Sequence, residues 1–465
     1  MRSSSTQRPQ MSPTSRKLEL KSGWNTTRSV LLCGASVRSL AESAIAASLR
    51  PLCVDFFEDE DLKKILGSGR GRFVGRIDSF SQLPQRIRSV RNTIPLLWAG
   101  GLENHTDLLR KIGQLRPVIG AFPDTVDQLR DPWKLKSWLA EATIGVPRLG
   151  TEATADADCH WLRKSLASSG GTGIGVPSSD DAKNPVSSSR GVYLQEYIDG
   201  VPMSATLCAD ESGAQLIGMS LQLIGWPSLG ASGFLFCGNV GPVDPGAQVT
   251  QQILEAARIL ADHSGLRGVF GIDFILRQGH AWFLELNPRM TASHMLYELQ
   301  QPGMITHLHL AALGWKSVRP RRSLEMNASR TPVPLSPAAA RLILWTRDEV
   351  RVPDAFGSES CSTVKIADCP QPGTIVPRSS PLCSIHIVAD DIEGIMRQLV
   401  MLQTPTCLHG NASLHTLIAL GFSTEAIADQ LKMLWQKYRR STSTNSGDEP
   451  TIERRGRQVG FCRPS

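Results

Sequence analysis

Residues 271–293 read GIDFILRQGHAWFLELNPRMTAS. Two strongly apolar runs flank Gln278-Gly279-His280, a three-residue hairpin loop in which glycine supplies the positive φ such loops need. That loop sets residue 273 opposite residue 285. Side chains alternate along a strand, so Glu285 and Asn287 share a face, and Asp273 joins them from the partner strand. Two carboxylates held that close repel unless something positive lies between them. Hard oxygen donors on paired strands suit Mg²⁺, which commonly takes one or two carboxylates plus phosphate oxygens. The plainer alternative is a solvated polar edge. Against it stand Ile272, Phe274, Ile275, Trp282, Phe283, Leu284 and Leu286, apolar on both faces, where carboxylates are not placed for solubility. Arg289 follows Pro288 directly and could hold phosphate or a developing oxyanion, or bridge to one of these acids.

The rest of the chain can bury a core. It has 465 residues, enough for two to four domains, with 41% hydrophobic and 20% charged residues. The formal net charge of +7 is spread over both ends, which reads as solvated basic tails rather than a nucleic-acid surface. Ten cysteines form no C-x-x-C pair, as expected of small buried hydrophobes in a reducing compartment. No apolar run has the length of a membrane span and no secretory h-region is evident, so the expected location is the cytoplasm.

Along the chain, residues 1–27 read as a disordered tail. SVLLCGASVRSLAESAIAASLRPLCVDFF is a β-α-β unit, and TIPLLWAGG and PVIGAF add short parallel strands. Residues 28–122 are therefore expected to form a doubly wound α/β domain. Its first turn, Cys33 to Arg38, lacks the G-x-G-x-x-G spacing of a dinucleotide fold. Asp131 caps a helix with Pro132 in its first turn, running toward Gly145. A strand then carries Lys164 into the glycine loop Ser169, Gly170, Gly171, Thr172, Gly173, whose backbone N–H groups can approach phosphates. It is not a P-loop. The strand ending in Gln195, Glu196, Tyr197 and Ile198 can present backbone groups to an adenine edge. Helices are expected over 247–264 and 291–315, a linker over 316–337, a β-rich appendage over 338–408, helices over 409–440 and a second tail over 441–465.

A lysine in a helix, a lysine with a glycine loop, a Q-E-Y-I-x-G hinge and D…E-x-N-P-R occur in one order that resembles the ATP-grasp superfamily over residues 28–315. The resemblance implies α/β and α+β architecture: the doubly wound domain, a two-subdomain ATP-grasp fold over 123–315, and the small C-terminal β-containing appendage. It implies that Lys134 and Lys164 contact ATP phosphates, that Ser169–Gly173 is a lid, and that Gln195, Glu196, Tyr197 and Ile198 read adenine. It further implies that Asp273, Glu285 and Asn287 bind Mg²⁺ (or Mn²⁺), with Arg289 and Lys164 catalytic. One departure is the acid usually found just after the hinge glycine. The run here is Gly200-Val201-Pro202-Met203-Ser204, which leaves Asp199 as the substitute ribose ligand. Lys136 competes with Lys134 for the first lysine. A weaker resemblance, through N-P-R-M-T-A-S and the appendage, is to the branch containing tyramine–glutamate ligase and to cofactor biosynthesis. The implied activity is ATP-dependent joining of a small-molecule carboxylate to an amine or thiol through an acyl phosphate, with neither nucleic acid nor membrane as partner. The alternative is an ATP-binding regulatory module without catalysis. No Ser-His-Asp order or activated-cysteine motif competes.

Overall fold

The computed structural model describes residues 28–151, 159–177, 191–315, 336–357, 360–361, 363–404 and 411–442. The expected tails before 28 and after 442, and the expected linker up to 335, lie outside the described residues. The first sheet has five parallel strands, in the order Arg72–Arg76, Arg50–Asp55, Ser29–Cys33, Leu96–Trp98, Val118–Ile119. Leu31, Leu32 and Cys33 have no exposed surface, the signature of a strand covered on both faces. Strand order reverses beside Ser29–Cys33, so the carboxyl ends of that strand and of Leu96–Trp98 open the crevice where doubly wound folds bind ligands.

The middle of the chain supplies two further sheets. A small four-stranded sheet runs Leu149–Gly150, Val192–Glu196, Trp161–Ser165, Ile174–Gly175. A nine-stranded antiparallel sheet begins His280–Asn287, Gly268–Arg277, Val201–Asp210, Gly213–Ile224, Phe236–Val243. Helix Ala247–Ser264 covers one face of it with Val249, Ile253, Ala256, Ala257 and Leu260, and stops at Gly265 in the left-handed conformation. On the other face, polar side chains stand in registered pairs across the sheet. Glu285 pairs with Asp273, Asp273 with Ser204, Ser204 with Ser220, Gln222 with Asn239, and Asn239 with Arg341.

Two expectations are corrected here. The hairpin turn is two residues, not three: Arg277 pairs with His280, and Gln278 and Gly279 both take positive φ, 51° and 70°. Asp273 still meets Glu285, because a bulge between Asp273 and Phe274 absorbs one residue. The helix begun at Asp131, whose carboxylate accepts from the Trp133 and Lys134 amides, ends at Trp138 rather than near Gly145. The chain after it is drawn onto the hairpin, where the Gly145 amide donates to Ala281 O and the Phe283 amide to Gly145 O.

Strands Ala338–Trp345, Pro381–Ala389, Val364–Ala367 and Ser360–Cys361 continue the nine-stranded sheet rather than forming one of their own. They also plug part of the first sheet's crevice. The Arg38 guanidinium, fully buried, pairs with Asp368 (2.5 Å), Glu42 (2.8 Å) and Asp61 (3.5 Å). Asp61 in turn accepts from the Asp368 and Cys369 amides. Among the described residues no helix is long and apolar enough to cross a membrane.

Candidate functional site

A cleft of about 450 Å³ lies between the small sheet and the polar face of the large one. Lys164 enters it from Trp161–Ser165, its side chain 7% exposed. Its ammonium donates to Gln195 Oε1 (3.1 Å) and faces Glu285 Oε2 at 3.7 Å. Burial disfavours its charge, but Glu285, Tyr193 and Asp273 outweigh this and hold its pKa above the ordinary value. Gln195 Nε2 reaches Leu284 O (3.3 Å), so one side chain joins the lysine to the hairpin.

The acids stand opposite. Asp273 accepts from Gln222 Nε2 (2.9 Å) and Asn287 Nδ2 (3.1 Å), and the same amide lies 3.5 Å from Glu285 Oε1. Burial, then repulsion from Glu285, pushes Asp273 up to about 7. Glu285 moves the other way. Burial favours its neutral form, but Lys164 and Arg130, then Asn287 and Arg289, hold it below the ordinary carboxylate value. An amide N–H and a ring of cations thus occupy the positive role that two facing carboxylates require.

Arg289 is 13% exposed and held from behind by Glu103, which has no exposed side-chain surface. Its Nε and Nη2 approach Glu103 Oε1 at 2.8 and 2.6 Å, and the Gly101 amide donates to Glu103 Oε2 at 2.6 Å. Gly100 lies so near that an added Cβ would stand 3.5 Å from the guanidinium carbon. The crevice end of Leu96–Trp98 therefore aims an arginine that belongs to the other sheet.

Residues 129–293 match the family model described as the ATP-grasp domain. This stretch is an ATP-grasp domain. Among solved structures, biotin carboxylase from Campylobacter jejuni with β,γ-ATP shares 15% identity, covering 85% of this chain and 99% of its own, at a TM-score of 0.61. The biotin carboxylase domain of Hydrogenobacter thermophilus 2-oxoglutarate carboxylase, with MgADP, ADP and bicarbonate, shares 11% over 90% and 99%, at 0.64. Carboxyaminoimidazole ribonucleotide synthase from Aspergillus clavatus, complexed with ATP, shares 15% over 88% and 100%, at 0.56. At these identities the likeness is one of fold. No curated protein matches the sequence.

Within the ATP-grasp domain the cleft lining collects Lys164, Gly170, Gly171, Gln195, Glu196, Tyr197, Ile198, Asp273, Glu285, Asn287 and Arg289. Ser169 lines a smaller adjoining cavity of about 70 Å³, together with Lys136 and Arg130. Lys134, Thr172, Gly173 and Asp199 line neither cavity. Lys134 and Lys136 are two apart on a helix and point to different sides, so one of them at most can face a given pocket; that one is Lys136. Asp199 is 72% exposed and accepts from Lys437 Nζ (2.9 Å) on helix Thr424–Thr442, away from the cleft. The glycine loop is docked: the Phe236 amide donates to Gly170 O at 3.1 Å, and a Cβ on Gly171 would fall 1.8 Å from Phe234 O.

Sequence reasoning missed Glu103, Arg130, Ser204, Gln222 and Asn239. Arg130 donates to Leu166 O (2.5 Å), Ser168 O (3.0 Å) and Asn104 Oδ1 (2.7 Å), tying the loop's base to the segment that carries Glu103. A signal existed for Glu103, an acid just past two glycines at the carboxyl end of a parallel strand. For Ser204, Gln222 and Asn239 it was the recurrence of uncharged polar residues in otherwise apolar strands.

Proposed function

We propose that the chain is an ATP- and Mg²⁺-dependent ligase, located in the cytoplasm, that joins a small-molecule carboxylate to an amine or thiol through an acyl phosphate. The observation that carries this reading is the meeting of Asp273, Glu285 and Asn287 with Lys164 and Arg289 in one cleft, under a glycine loop. The donor set fits a magnesium–nucleotide pair better than a bare ion. Among the described residues no group of three or more His, Cys, Asp or Glu side chains could hold a metal by itself. Two acids and an amide leave a shell that phosphate oxygens complete. Asp273, Glu285 and Asn287 would hold the ion, which would supply positive charge to offset that of the phosphates.

The chain's own residues do the rest. Lys164, with Lys136 and Arg130 beside the adjoining cavity, neutralises phosphate oxygens in transit. Glu196, Tyr197 and Ile198 line the adenine end, and the docked glycine loop keeps water from a hydrolysable intermediate. Arg289, oriented by Glu103, steadies the oxyanion as the nucleophile attacks. Positioning and electrostatics carry such chemistry without a side-chain nucleophile.

The test is acid-dependent ADP release across a panel of carboxylates. The wild type releases ADP with at least one acid and Mg²⁺, and Glu285→Ala loses about a hundredfold or more. Full turnover by Glu285→Ala excludes the metal role. Tight ATP binding with no transfer to any acid supports instead a non-catalytic nucleotide-binding module, a reading favoured by the departure of Asp199 from the cleft.

A further inference from the structure

The first sheet ends in an edge that the nucleotide cleft does not use. Strand Arg72–Arg76 pairs on one side with Arg50–Asp55, and among the described residues nothing pairs with its other side. A row of main-chain N–H and C=O groups therefore stays open there. Phe73 and Val74 are half-buried and pack on opposite faces of the sheet, so the strand is held in place up to this edge. Cations surround it. Residues 62–91 carry eight lysines and arginines, all exposed, against one acid, Asp78. These thirty residues thus hold a net +7, as much as the whole chain. Lys63 meets Glu58 (2.6 Å) and Arg76 meets Asp78 (3.2 Å); among the described residues the other six form no ion pair. Arg86 lies over the strand, for a Cβ on Gly75 would stand 2.7 Å from its Cδ and 3.0 Å from its Nε. Arg50 donates to Gly69 O (3.1 Å) and Arg70 to Gly67 O (3.3 Å), in the turn that leads into the strand. Blunting an edge against aggregation takes a charge or a bulge, far less than this.

We propose that this edge docks an acidic, extended segment of a partner protein, which adds to the sheet as a further strand beside Arg72–Arg76. Main-chain hydrogen bonds hold the segment, and its carboxylates meet the guanidinium groups of Arg72, Arg76 and Arg86. A second copy of the chain does not fit, because two such edges would set like charges opposite each other. A nucleic acid or an anionic membrane matches the charge but leaves the open backbone groups unpaired. Neither finds an anchor here, since no exposed large apolar side chain falls between residues 58 and 114 to stack on a base or enter a bilayer. The proposal is independent of the ligase reading.

The experiment measures binding of fluorescent peptides of about ten residues, about two strand lengths, to the full chain. The probe alternates Glu and Thr. A second peptide of equal charge has Pro in place of Thr, which removes the amide donors a strand needs. Single-stranded oligothymidylate of equal charge is the third ligand. The wild type is expected to bind the Glu–Thr peptide, and the proline peptide and the oligonucleotide each about tenfold or more weakly. Arg72→Glu combined with Arg76→Glu should weaken the Glu–Thr peptide by about tenfold or more. Hydrogen exchange at the amides of residues 72–76 should slow when that peptide is added to the wild type, which locates the site even if the double variant fails to fold. No binding by the wild type, equal binding of the proline peptide, undiminished binding by a folded double variant, or unchanged exchange over 72–76 overturns the proposal. Oligothymidylate binding as tightly as the Glu–Thr peptide overturns it in favour of a nucleic acid.

Discussion

At the scale of single residues, the site turns on charges that are balanced before any ligand arrives. Glu103 is the clearest instance, a buried carboxylate whose partner is the arginine of the opposite sheet. Burial pushes its pKa up, but Arg289 overrides this and holds it below the ordinary value of 4.5. The pair therefore contributes stability that is present above about pH 4.5 and is lost as pH falls through the lower folded-state value. Glu103→Gln should lower the melting temperature at neutral pH, and the gap to wild type should shrink in acid. It should also cut kcat about tenfold or more, with a smaller change in the KM for ATP, because Arg289 loses its aim. A melting gap independent of pH contradicts the pairing. Asp273, Glu285 and Asn287 were legible at this scale because strand alternation is rigid and acids among apolar neighbours demand a reason. Lys136 rather than Lys134 lines the smaller cavity, in a helix of only two turns, and a sequence motif does not fix which of two lysines its rotation turns inward.

At the scale of elements, the glycine loop makes the sharpest prediction. Gly171 has φ +80°, and a Cβ there meets the Phe234 carbonyl. Gly170 has φ +62° and open space around its Cβ position. Gly171→Ala should therefore raise the KM for ATP and lower kcat, together by about tenfold or more in kcat/KM, with little change in melting temperature. Gly170→Ala should cost only the local strain of about 1 kcal/mol. Equal effects of the two contradict a docked lid. Helix Ala247–Ser264 was readable to its ends, from its apolar face and the glycine after it. The bulge at Asp273 was not readable, since one extra residue in a strand leaves the hydrophobic pattern almost unmarked. The edge strand Arg72–Arg76 was hidden by its composition, RFVGR, which shows little alternation and a glycine.

At the scale of the whole molecule, the C-terminal strands are part of the same sheet as the site and grip the first sheet through Arg38. Arg38→Ala leaves Asp61 without its buried cation and Asp368 with Arg341 alone (2.9 Å), a loss of about 3–5 kcal/mol. Thermal unfolding should shift down by several degrees, visible by calorimetry; an unchanged midpoint means the cluster is not what joins the two ends of the chain. This joining was invisible in the sequence. Strand order across distant segments depends on pairings that leave no local trace, whereas the β-α-β unit at the start announces itself through short-range pattern. The same holds for Glu103, whose partner is 186 residues away.

The account rests on a divalent cation shared between the hairpin acids and the phosphates of ATP, and Mn²⁺ binding followed by electron paramagnetic resonance tests it most directly. With a non-hydrolysable ATP analogue the wild type should bind Mn²⁺ at least about tenfold more tightly than without it, and Glu285→Ala should lose that gain. Nucleotide-dependent Mn²⁺ binding undiminished in Glu285→Ala, or no Mn²⁺ binding beside a tightly bound analogue, would contradict it.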